Sequence, residues 1–154
     1  MAMHITTKGC YGLRAMIDLA EQSESSLVPM ELISNRLDVS RKYLHSLLTS
    51  LKNAGLVQTT RGAGGGFRLA REAGEIKVTE VIEALEGRIV LRECIADPEC
   101  CERATFCVTR TLWIELERVI TSYFDALTIE DLKGQNLDWV ERLREMFPGA
   151  APAP

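Results

Sequence analysis

Between residues 61 and 66 the chain reads Arg-Gly-Ala-Gly-Gly-Gly, and no regular helix or long strand tolerates glycine at that density. The run is flanked by Leu56-Val57-Gln58-Thr59-Thr60 and Gly66-Phe67-Arg68-Leu69-Ala70, both short, β-prone stretches. Two strands around a glycine tip make a hairpin. A flexible linker is the bland alternative, and what precedes the run decides against it.

Pro29 suits the start of a short helix, Met30 to Arg36, with Leu32, Ile33 and Leu37 inward. Asp38-Val39 turns, and Ser40 is a good N-cap for a helix from Arg41 to Asn53. Leu44, Leu47, Leu48 and Leu51 are its buried stripe, and Gly55 stops it. Two short helices, a tight turn and a following hairpin are the order of a winged helix-turn-helix. The fold class read from the chain is therefore mainly α with one small β-hairpin, a winged helix-turn-helix domain extended by a long dimerisation helix.

The remaining segments fit around that unit. Thr6 and Thr7 can cap a helix running to Gln22, with Leu13, Met16, Ile17 and Ala20 on one face. Ser23 to Val28 reads as a polar turn. Ile76 to Leu85 is amphipathic, with Thr79, Glu80 and Glu83 outward, and Gly87 breaks it. From about Thr105 to Leu127 runs the longest periodic stretch, with Val108, Leu112, Leu116, Val119, Ile120, Tyr123, Phe124 and Leu127 on one stripe. That stripe exceeds what a small domain buries, and a two-fold partner is the economical cover. Thr128 caps a short helix from Ile129 to Lys133, Leu137 to Phe147 is a weaker one, and PGAAPAP is a disordered tail. The division expected is residues 1–87 for the winged domain (wing about 56–70), 88–107 for a cysteine-rich loop, 105–133 for dimerisation, and 134–154 for the extension and tail.

Composition excludes some classes. At 154 residues, 46% apolar and 26% charged, the chain has an ordinary globular balance, with no run approaching the roughly 20 apolar residues of a membrane span. The N-terminal stretch lacks the apolar core of a signal peptide, so a cytoplasmic protein is expected. The net charge of −4 hides an asymmetry. Residues 28–72 carry Arg36, Arg41, Lys42, Lys52, Arg61, Arg68 and Arg71 against Glu31, Asp38 and Glu72. A basic segment within an acidic protein marks a localised phosphate-binding face and predicts double-stranded DNA as partner.

Four of the five cysteines, Cys94, Cys100, Cys101 and Cys107, fall within Glu93–Arg110. In a reducing compartment such a group reads as metal-binding or redox-active rather than disulfide-forming. Structural zinc commonly pairs ligands at C-x₂₋₄-C, which this loop lacks, and His4 and His45 lie in other segments. No C-x-x-C, nearby histidine base or nucleotide-binding glycine motif supports an enzyme. A regulator switched by thiol oxidation at Cys100 or Cys101 is the alternative without metal.

KGCYGLRAMIDLA, YLHSLLTSLKNAGLV, RGAGGGFRLA and the loop ending CVTRTLW together resemble the bacterial iron–sulfur cluster regulators. This is the IscR, NsrR and CymR group, also called the Rrf-two family, and the resemblance covers about residues 3–133. It implies a homodimeric winged-helix transcription factor, here a repressor, reading a pseudo-palindromic operator under control of an iron–sulfur cluster. The cysteine-metabolism branch lacks these cysteines, so their presence favours the cluster-binding branches. By the same analogy the helix at 41–53 enters the major groove with Ser40, Arg41, Lys42, Tyr43, His45, Ser46 and Thr49 exposed. Arg61 and Gly62 at the wing meet the minor groove or backbone, and Lys52 and Arg68 clamp phosphates.

For the cluster, the resemblance assigns Cys94, Cys107 and one of the adjacent pair, with Cys101 preferred and Cys100 the alternative. The cluster-supply regulators carry a histidine three residues after the last cysteine, where this chain has Arg110. The nitric-oxide sensors take a carboxylate from the first helix of the opposite protomer, and the matching position here is Cys10. Cys10 of the partner subunit as fourth ligand gives an all-thiolate site and favours a 4Fe–4S over a 2Fe–2S cluster. The bland reading of Cys10 is a small buried helix residue.

Overall fold

The computed structural model describes residues 5–22, 26–135 and 137–148. All of the expected tail after Pro148, part of the turn at 23–28, and His4 lie outside them. The order of elements is α1 (Thr7–Ala20), α2 (Met30–Leu37), α3 (Arg41–Asn53), β1 (Val57–Thr60), β2 (Gly66–Leu69), α4 (Val78–Glu86), α5 (Glu93–Ala96), α6 (Val108–Asp125) and α7 (Asp138–Met146).

Local signals set most boundaries. The Thr6 hydroxyl accepts from the Lys8 amide at the start of α1, and the Ser40 hydroxyl accepts from the Tyr43 amide at the start of α3. Pro29 immediately precedes α2 with φ −58°. Asp38 turns the chain between α2 and α3 in the left-handed region, which Asp tolerates. Leu44, Leu47, Leu48 and Leu51 are all buried, as their spacing requires. Leu32 is not: it stays 48% exposed while Ile33 alone among the α2 apolar residues is fully buried. An eight-residue helix turns only so much surface inward, and Ile33 and Leu37 take it.

β1 and β2 pair antiparallel with Val57 opposite Leu69 and Thr60 opposite Gly66. The outer edge of β2 is closed by Val28: its amide donates to the Phe67 carbonyl at 2.8 Å, and its carbonyl accepts from the Phe67 amide at 2.9 Å. Gly66 makes that approach possible, since a Cβ there would sit 2.6 Å from the Val28 carbonyl oxygen. The wing is thus stitched to the residue just before α2.

One core joins α1, α2, α3, the hairpin and α4 through Met16, Ile33, Leu48, Leu56, Ile76 and Val81. α4 lies close on α1 because Gly12 faces it: a Cβ at 12 would fall 1.9 Å from a Leu85 methyl. A second core packs Val78, Ile82 and Ile89 of the α4 region against Leu127, Leu143 and the last turns of α6.

Three expectations change here. Residues 129–132 form turns rather than an α-helix, and Lys133 begins a short 3-10 turn. The Leu132 and Lys133 amides donate three residues back, to the Ile129 and Glu130 carbonyls, while the Ile129 and Glu130 amides donate to the Ile76 and Ala73 carbonyls. Thr128 still caps, its hydroxyl and amide both meeting the Asp131 carboxylate. Thr79 faces inward, not outward, and its hydroxyl donates to Asp125 on α6 at 2.7 Å. α6 starts at Val108 rather than near Thr105, since Ala104–Phe106 make a tighter turn and Cys107 becomes the N-cap.

Candidate DNA interface and cysteine loop

α3 presents Arg41, Lys42, His45, Ser46 and Thr49 to solvent, with its leucines inward. Ser40 at its head is spent on capping. Tyr43 is half-buried and turned toward α1: its hydroxyl donates to Thr7 Oγ1 at 3.3 Å, and its ring meets Tyr11 edge-on at 6.1 Å. Arg14 lies 5.0 Å over the other aromatic, Tyr11. Tyr43 therefore fixes α3 on α1 as well as bordering the exposed face.

The basic segment is less uniformly available than its charge count implies. Arg36 makes a bidentate bond to buried Asp18 on α1, at 2.6 and 2.7 Å, and is structural. Arg71 donates to Glu80 and to the Glu75 carbonyl. Arg41 pairs with Glu31, but both are more than half exposed, and such a pair yields readily to a phosphate. Lys42, Lys52 and Arg61 are exposed and make no ion pair among the described residues. Arg68 is exposed on β2 and bonds the Gln58 side chain across the hairpin. Gly62 at the tip holds φ +102°, a backbone state that excludes most side chains and lets the wing turn sharply beside Arg61.

The cysteine loop leaves α4 at Gly87 and returns at the head of α6. Cys94 sits half-buried in α5, which packs on α6; Cys100 and Cys101 are exposed; Cys107 is half-buried at the α6 N-cap. All five cysteines are free thiols, and Cys10 is exposed on α1 rather than buried in its core face. Cys107 lies 3.0 Å from the Thr109 hydroxyl, which together with the amides of the first helical turn holds its thiol below the usual range. Cys100 shifts the other way, through lost solvent and then the charges of Asp97, Cys94 and Cys101. Soft thiolate donors of this kind suit iron–sulfur clusters, zinc or copper(I). Among the described residues of one chain, no three His, Cys, Asp or Glu side chains already form a metal-holding group. The donors fit a cluster in kind.

Beyond the loop, α6 carries an uncovered stripe. Of the ten large apolar side chains exposed among the described residues, six lie within residues 106–119, including Val108 at 84% and Leu112 at 57%. The same stripe is half-buried at Ile120, Tyr123 and Phe124, where α7 and α4 pack on it.

The described family of iron-dependent transcriptional regulators, Rrf2, matches residues 5–135. The chain belongs to the Rrf2 family. It is 40% identical over 134 residues to the HTH-type transcriptional regulator IscR of Vibrio atlanticus, an alignment spanning 87% of this chain and 77% of that one. Among solved structures it is similar to CymR, the global cysteine regulator of B. subtilis, with a TM-score of 0.70 and 37% identity over 84% of this chain and 95% of that one. T. potens IscR follows at TM-score 0.67 and 32% identity, over 98% and 94%. The protein is a DNA-binding transcriptional regulator with a winged-helix fold, and no helix among the described residues is long and apolar enough to cross a membrane.

Three contacts that hold this machinery together left no periodic trace in the chain: Asp18 with Arg36, Tyr43 with Thr7, and Glu86 with the head of α1. Glu86 accepts from the Thr6 amide and hydroxyl and from the Gly9 amide, each at 2.8 Å. A carboxylate at a helix N-terminus is the one sign that could have pointed to it, and the 80 residues between hide it.

Proposed function

We propose that this protein is a homodimeric repressor whose hold on a pseudo-palindromic operator is set by an iron–sulfur cluster in the Glu93–Arg110 loop. One observation carries the reading: four free thiols hang on a loop tethered to the same end of α6 that bears the uncovered apolar stripe. The stripe supplies the two-fold interface, through Val108, Leu112, Leu116 and Val119, and brings two cysteine loops near it. Cys94, Cys101 and Cys107 would hold the cluster, Cys100 being the alternative to Cys101, and Cys10 of the partner subunit would complete it. The cluster supplies a redox- and ligand-sensitive cross-link between protomers.

The chain's own residues do the reading. Arg41, Lys42, His45, Ser46 and Thr49 face the major groove, and Arg61 with Lys52 and Arg68 neutralises phosphates. Each reader presents one α3, so the dimer must place two α3 helices about one DNA turn apart, and the interface sets that spacing. A change at the loop alters affinity by altering the interface.

The test is the absorbance and the iron and sulfide content of anaerobically purified protein, with Cys10→Ala alongside. Iron and sulfide in the parent and an altered spectrum in Cys10→Ala are expected. An unchanged spectrum and iron content in Cys10→Ala would remove that ligand. A colourless sample holding zinc would overturn the cluster switch and leave the DNA reader standing. A second reading rests on the exposure of both Cys100 and Cys101: a metal-free regulator switched by thiol oxidation. Metal-free protein whose operator affinity tracks reversible oxidation of these thiols would favour it.

A further inference from the structure

Arg110 stands in the first turn of α6, three positions past the last cysteine. Its amide donates to the Cys107 carbonyl at 3.1 Å, and its side-chain Nε donates to the Cys94 carbonyl at 2.8 Å, sixteen residues back. One residue therefore binds the main chain at both ends of the cysteine loop. Its side chain is half-buried between α5 and α6, which restricts it to few rotamers. We propose that Arg110 is a positioning residue: it closes the neck of the loop and fixes Cys94 relative to Cys107 before any cluster is bound.

The physical case is one of preorganisation. Bringing Cys94 back to the head of α6 costs chain entropy, and a loop closed during folding does not pay it again when a ligand arrives. A guanidinium suits the task, since its Nε–H has a fixed direction and keeps its charge at every accessible pH. That charge also stays at the Cys94 end of a loop that carries Glu93, Asp97, Glu99 and Glu102. A cation fixed near a cluster favours the reduced state and raises its potential. Arginine at this position thus keeps the loop in shape without being a ligand. This inference rests on the cluster reading for its metal consequences, though not for the neck contact itself.

The experiment compares the full-length protein with Arg110→Lys and Arg110→Met, which has no donor and no charge. Hydrogen exchange of the metal-free proteins reads the neck directly. Amides of residues 94–107 should exchange about tenfold faster in Arg110→Met while those of α3 stay as protected as in the parent, and Arg110→Lys should fall between. After anaerobic reconstitution, iron release to a chelator should be about tenfold faster in Arg110→Met, as for other supporting partners of metal ligands. Its midpoint potential should drop, and Arg110→Lys should restore the potential more fully than the loop protection. Parent-like exchange in the Arg110→Met loop overturns the proposal, and so does faster exchange there with parent-like iron release and potential. If the parent protein itself takes up no iron or sulfide, the cluster reading fails and the exchange comparison alone decides the clamp.

Discussion

Replacing Gly66 by alanine should lift the wing from the helix-turn-helix, and the structure gives the size of the effect. The new Cβ would lie 2.6 Å from the Val28 oxygen, 2.7 Å from its carbonyl carbon and 3.0 Å from the Pro29 nitrogen. These are main-chain atoms, so no side chain can swing aside. Relief requires β2 and the Val28 segment to part by about 0.8 Å, which stretches the two Val28–Phe67 hydrogen bonds from 2.8 and 2.9 Å to about 3.6 Å, where they no longer count as bonds. Two lost bonds at about 1 kcal/mol each and about 1 kcal/mol of residual crowding give roughly 3 kcal/mol. Urea unfolding followed by circular dichroism measures it, with operator affinity in parallel. Gly62→Ala is the companion: nothing lies within 4 Å of its Cβ, so only the backbone strain at φ +102° remains, about 1–2 kcal/mol. Stability of Gly66→Ala within about 0.5 kcal/mol of the parent would refute the reasoning, because crowding against main chain could not be that cheap.

Three other perturbations separate the remaining roles. Leu112→Glu should leave the protein monomeric by sedimentation. Covering a side chain about half exposed, counted in both protomers, is worth about 2 kcal/mol or roughly 30-fold in dimer affinity; Met146→Glu on α7, 55% exposed, should not change association. Arg61→Ala should weaken binding to every DNA sequence and lower the salt slope by about 0.9 per protomer contact; an effect confined to one base pair would contradict a phosphate role. Burial by itself would raise the Glu86 carboxyl, but its bonds from Thr6 and Gly9 outweigh that and hold it below the usual range. A depressed folded value stabilises above the unfolded one and is lost as pH falls through the folded one. The stability gap between parent and Glu86→Gln should therefore be full at neutral pH and close in acid, and a gap independent of pH would exclude the charge.

The parts of the fold legible in the chain were those written locally. Ser40 and the leucine spacing placed α3 to the residue, and the glycine run placed the hairpin. What escaped depends on partners far along the chain. Ile129–Lys133 has helical composition, yet the amides of Ile129 and Glu130 are held by Ile76 and Ala73, and the rest of the segment closes only i to i−3 turns. Thr79 looked solvent-facing because its partner, Asp125, is on another helix. In the site, the exposed face of α3 was readable and the diversion of Tyr43 to Thr7 was not. The cysteines announced themselves by spacing alone; the Arg110 bond to a main-chain oxygen has no counterpart in residue type.

The Val28–Phe67 bridge has a consequence for how such a regulator can be controlled. With the wing fastened ahead of α2, and α3 fastened to α1 through Tyr43, the DNA-reading surface of the chain is a rigid stamp. In the proposed dimer, a signal at the cysteine loop would have little purchase on the pattern of that stamp and every purchase on the distance between two of them. New targets and new signals would then be separable: the lettering would change on α3, and the spacing would be set from the loop.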